Sequence, residues 1–168
     1  VLSYNDLLLL LNCFSLLSGY THKVLNMANG RWITTFEIND ALEEAGTGEW
    51  KLTMFVPPSP PKTKIRVPLC RGGHHSLLVV DNTKKEYAIL SSTYAKPNPV
   101  DWPQWIYLYD DATPRNVPKQ KNGSDCGAYT ICFGEIISTW SVIKKRMSKD
   151  DVGVDDINNV RSKLSLTL

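Results

Sequence analysis

The segment Val117-Pro118-Lys119-Gln120-Lys121-Asn122-Gly123-Ser124-Asp125-Cys126-Gly127 carries the residues best suited to covalent chemistry. It sets Cys126 at the first turn of a helical pattern. Backbone N–H groups and the helix dipole at such an end favour the thiolate, the form that attacks a carbonyl. Gly127 would let a substrate backbone come close. Gln120, six residues upstream, could aim its amide at an oxyanion beside the sulfur. The alternative is a buried cysteine opening an ordinary helix. A thiol nucleophile needs a base, and the chain offers His22, His74 and His75. His22 lies in a polar stretch and reads as a solvated side chain. His74 and His75 follow Gly72-Gly73 and open the apolar run Ser76–Val80, where an imidazole can face a cleft or simply cap a strand end.

The elements that would position these groups follow from periodicity. From Tyr129 the residues Cys132, Phe133, Ile136, Ile137 and Trp140 recur at helical spacing, which predicts a helix from Cys126 with one apolar face. Cys132 falls on that face and should be inert. Ile65–Leu69 and Ser76–Val80 have strand character. The turn Asp81-Asn82-Thr83-Lys84-Lys85 leads into Glu86–Leu90, so Ser76–Leu90 predicts an antiparallel hairpin. Trp32–Ala45 reads as a helix with Phe36, Ile38, Ala41 and Leu42 as a partial apolar face, stopped by Gly46-Thr47-Gly48. Trp50–Val56 and Trp105–Tyr109 are short strand candidates, and a last helix starts near Asp155. The run Leu7–Leu17 suits an amphipathic or buried helix, or a signal-peptide core, though Asp6 precedes it without a basic start. It is too short to span a membrane.

Composition narrows the function classes. The chain has 168 residues, 42% hydrophobic and 21% charged, the balance of a globular protein rather than a disordered or fibrous one. Nineteen Lys and Arg against 17 Asp and Glu leave +2, too little basic excess to make nucleic acid a main partner. Four cysteines without a C-x-x-C pair support neither a disulfide scaffold nor a zinc site. They suggest an intracellular setting, cytoplasm or nucleus. No metal, organic cofactor or membrane partner is indicated, and a monomer is expected. The chain starts on Val1, as a fragment or a processed chain would.

Together the cysteine and histidine segments resemble the Ulp/sentrin-specific family of cysteine proteases, which cut after the diglycine tail of ubiquitin-like modifiers. That family reads His-Trp-x-Leu at a strand start, Asp-Ser after the next strand, then Gln-x-x-x-x-Asp-Cys-Gly. The matching text is His74-His75-Ser76-Leu77, Leu90-Ser91-Ser92 and Gln120 to Gly127. Val1-Leu2-Ser3-Tyr4-Asn5-Asp6, Met54-Phe55-Val56 and Pro61 to Val67 are similar to the deneddylase branch. The resemblance implies an α+β, papain-like fold of the Ulp type, with a mixed or antiparallel sheet packed on a helix that carries the nucleophile. It implies Cys126 as nucleophile, His74 as base and Gln120 as oxyanion donor, with His75, Asn122 and Gly127 touching substrate. Asp125 would be structural. The partners implied are a ubiquitin-like modifier and its conjugates.

Three departures stand out. The family's catalytic Asp falls on Ser91, or on Ser92 if His75 is the base. Asp81 and Glu86, at the far end of the hairpin, lie roughly 20 Å away at about 3.3 Å per residue and cannot replace it. A serine can orient an imidazole but cannot stabilise an imidazolium by charge. The family's tryptophan is His75, which should loosen the cover over the diglycine tail. The family's Trp-Leu-x-Asp entry to its substrate-binding helix is not clearly present. One domain spanning 1–168 is expected, short of the family near 18–30 and 92–116. Beside the protease stands an impaired pseudo-protease that binds a modifier without cutting it, or a degenerate product with little stable function.

Overall fold

The computed structural model describes residues 30–46, 48–108, 117–143 and 147–166. The run Leu7–Leu17, His22 and most of 18–31 therefore lie outside the described residues. Among the described residues the order is α1 (Thr35–Ala45), β1 (Lys51–Leu52), β2 (Ile65–Arg71), β3 (His74–Asp81), β4 (Glu86–Leu90), β5 (Ile106–Tyr107), α2 (Cys126–Ser138) and α3 (Val154–Leu166). The five strands form one mixed sheet in sequential order. β2, β3 and β4 are antiparallel, whereas β1 and β5 add at the edges in parallel. The predicted hairpin is present, with Leu77 opposite Leu90 and Asp81 opposite Glu86. Asp81 closes its turn by accepting from the backbone N–H of Thr83 at 3.0 Å and its hydroxyl at 2.6 Å.

Both faces of the central strands are covered, which is why they read as unbroken apolar runs. Leu77, Val79, Ala88 and Leu90 face the helices and join a core with Ile38, Leu42, Phe133 and Ile137. Leu78, Val80, Tyr87 and Ile89 face the other way, under Trp102 and Trp105. The proline-broken stretch 97–105 forms this second cover, tied by the Tyr107 hydroxyl donating to the Pro97 carbonyl at 2.8 Å. Tyr87 stacks on Tyr107 at 5.0 Å and meets Trp102 edge-on.

Helix α1 starts at Thr35 rather than Trp32 because a capping box fixes its end. Thr34 accepts from the Glu37 N–H at 3.1 Å, and Glu37 accepts from the Thr34 N–H at 3.2 Å. Its buried side is Ile38, Asn39 and Leu42, while Phe36 is 44% exposed, outside the face expected of it. The strand expected over 50–56 shortens to β1, and that expected from Trp105 is β5, with Tyr109 outside the described residues. Helix α2 is buried almost all round, from Cys126 through Gly134, and ends at Ser138, before Trp140. It packs on β3, α1 and α3 together, so a single-face pattern understates it. Gly134 lets the Leu42 side chain lie directly on its backbone, where a Cβ would collide. Cys126 and Cys132 are free thiols, whereas Cys70 is disulfide-bonded. Among the described residues no helix is long and apolar enough to cross a membrane.

Candidate active site

Cys126 is the first residue of α2 and 1% exposed. Asp125 precedes the helix but does not cap it with its side chain. Instead its carboxylate accepts from Asn122 Nδ2 at 2.8 Å and from Arg161 Nε at 2.8 Å and Nη2 at 2.5 Å. The first amides of α2 are thus left for the sulfur. Burial holds the Cys126 thiol above its ordinary value, and the nearby Asp125 carboxylate pushes the same way. The N–H groups of His75, Gly127 and Cys126 itself oppose them without prevailing. Cys132 is pushed up to about 12, chiefly by burial.

The imidazole beside the thiol is that of His75. Its Nδ1 lies 3.8 Å from Cys126 Sγ, and its Nε2 lies 3.2 Å from Thr35 Oγ1 on α1. The pleat explains the choice: successive side chains on a strand point to opposite faces, and His75 shares the helix-facing side with Leu77 and Val79. His74, expected as the base, takes the other side with Leu78 and Val80 and pairs its Nε2 with Ser91 Oγ at 2.9 Å. The His–Ser pairing anticipated from the hairpin is therefore present, but on the imidazole that is not at the sulfur. Burial and the neighbouring His74 push His75 down to about 4, so it rests as neutral imidazole. His74 is lowered by burial and by Lys119, whose ammonium donates to the Ser91 and Thr93 carbonyls at 3.0 and 2.9 Å.

The other sequence candidates cluster in the loop before α2, with their polar groups engaged internally. Gln120 accepts from the Ser92 hydroxyl and donates through Nε2 to the Asn122 carbonyl at 2.6 Å. Its amide is near the thiol's loop but turned along it in this conformation. Asn122 Oδ1 accepts from the N–H groups of Ser124 and Asp125 at 3.1 and 3.0 Å, an Asx turn that shapes the approach to Cys126. At Gly127 a Cβ would sit 2.8 Å from the Ile33 Cβ, so the glycine lets Ile33 lie against the first turn of α2. Two residues escaped the sequence reading. Arg161 on α3 is 7% exposed and also reaches the Arg31 and Ser124 carbonyls at 2.9 and 3.1 Å. Thr35 stands behind His75. The arrangement can transfer a thiol proton to an adjacent neutral imidazole, as a cysteine nucleophile requires.

No family model matches the chain, and no curated protein matches it. Among solved structures it is similar to the Chaetomium thermophilum Ulp1-like SUMO protease catalytic domain, at 16% identity and a TM-score of 0.44. The overlap covers 78% of this chain and 68% of that one.

Proposed function

We propose that this chain is a cysteine-type peptidase that cleaves after the C-terminal diglycine of a ubiquitin-like modifier, by deneddylation or desumoylation, in precursor processing or in deconjugation. The observation that carries this reading is the Cys126 thiol at the head of α2, 3.8 Å from a neutral imidazole. The cysteine motif supplies the substrate class through its resemblance to the Ulp/sentrin-specific family. In the proposed reaction His75 Nδ1 takes the thiol proton while sulfur bonds to the terminal glycine carbonyl carbon. The carbonyl π pair moves to oxygen, near the amides that open α2. Collapse expels the amine, which takes its proton from His75, and water then cleaves the thioester.

A second reading, a binding protein with impaired catalysis, is favoured by the burial of the thiol and by Thr35, rather than a carboxylate, as the partner of His75 Nε2 among the described residues. Modifiers carrying a C-terminal electrophile separate the two. The peptidase forms a covalent adduct with a NEDD8-type or SUMO-type probe that Cys126→Ala abolishes. Binding of the same probe with no adduct establishes the impaired form. Neither binding nor adduct with either modifier overturns both.

A further inference from the structure

We infer that Thr35 is a positioning residue for the site, its hydroxyl holding His75 as the Nε2–H tautomer so that Nδ1 faces Cys126 with a free lone pair. This rests on the peptidase reading above, but its central measurement does not. The hydroxyl lies 3.2 Å from Nε2, across 40 residues of sequence. Its backbone is fixed, since Thr35 opens α1 beside the Thr34–Glu37 capping box and its carbonyl accepts from Asn39 Nδ2 at 3.0 Å. Asn39 is itself 4% exposed. The serines that the sequence placed behind the imidazole are both occupied elsewhere. Ser91 pairs with His74 and Thr93, and Ser92 donates to Gln120.

The chemistry follows from proton counting. A neutral imidazole carries one N–H. For Cys126 to give its proton to Nδ1, that hydrogen must be on Nε2, where Thr35 Oγ1 is the acceptor in reach. A hydroxyl, unlike a carboxylate, can donate as well as accept; Thr35 Oγ1 takes the acceptor role here because Nδ1 is turned to the Cys126 thiol, and it adds no charge. The imidazolium therefore forms only while sulfur attacks, and the free protein holds an uncharged pair. In that step the proton leaves Sγ for Nδ1, and the Nε2 hydrogen stays on its bond to Thr35.

Nitrogen NMR of the ¹⁵N-histidine-labelled full chain reads this directly, with the His75 signals assigned by their loss in His75→Gln. We expect Nε2–H in the wild type, retained in Thr35→Ser, and a mixture of tautomers in Thr35→Val. On a diglycine-terminated fluorogenic modifier, kcat should fall at least tenfold in Thr35→Val with KM unchanged, and Thr35→Ser should restore most of it. An Nδ1–H tautomer in the wild type overturns the inference, and that measurement needs no variant to fold. An unchanged tautomer and kcat in a folded Thr35→Val overturn it as well. Loss of the Cys126 adduct would instead strike the peptidase reading and leave the tautomer result standing.

Discussion

Two adjacent histidines divide between the faces of β3, and only one touches sulfur. Replacing His75 by Gln should slow adduct formation at Cys126 by about 10²–10⁴-fold, the usual worth of a general base. Replacing His74 by Gln should leave it within a few-fold. Time courses with the electrophilic modifier measure both, and the reverse order would return the base to His74. Ser91→Asp follows the same logic. It sets a carboxylate against His74 and beside Lys119, so it should raise the His74 pKa in an NMR titration without raising turnover. The cysteine, its loop and the paired histidines were legible as residue types at a spacing. Which histidine faces inward was not. Strand parity is usually revealed by a polar face, and Leu77, Leu78, Val79 and Val80 are apolar on both. Thr35 was invisible for another reason: nothing in the text of the chain links residue 35 to residue 75.

Elements hold the site through their ends rather than their middles. Helix α3 packs Ile157, Val160 and Leu164 into the core and sends Arg161 to the loop before α2. One guanidinium thereby joins the Asp125 carboxylate, the Ser124 carbonyl and the Arg31 carbonyl. Arg31 in turn pairs with Glu37 on α1 at 2.7 Å, so the segment carrying Thr35 and the loop leading into Cys126 share an anchor. Breaking a buried pair from one side leaves the other charge uncompensated. Arg161→Met should accordingly cost on the order of 3 kcal/mol in urea unfolding. In the protein that remains folded, thiol reactivity should fall more than that of Gln120→Ala, because both loop and α1 are released. Sequence periodicity found α1, α2, α3 and the hairpin, since each buries a patterned surface. It overextended the edge strands, whose two-residue pairings depend on neighbours far along the chain. Nor could periodicity show that Ile33 lies against Gly127, a contact between residues 94 positions apart.

For the whole molecule, burying a neutral imidazole links the catalytic pair to stability. The folded state holds His75 at about 4, against about 6.5 in an unfolded chain. Between these values the unfolded state binds the extra proton. The contribution is therefore complete above pH 6.5 and is lost as pH falls towards 4. By pH 5 it amounts to a loss of roughly 2 kcal/mol from this residue. His74 is lowered too and works in the same direction. Glu37, held down by Arg31 and by Thr34 at the capping box despite the opposing effect of burial, adds a further loss at lower pH, as its carboxylate protonates. Glu135 opposes them, because burial raises its pKa and its contribution fades as pH rises. Urea unfolding at pH 7.5 and pH 5 tests the balance. The wild type should lose stability on acidification, and His75→Gln should lose about 2 kcal/mol less over the same interval, whatever its stability at pH 7.5. Equal losses in the two proteins would mean that His75 is protonated in the folded state near pH 6. Imidazole would then protonate in the site as readily as in water, against the neutral state that its burial imposes.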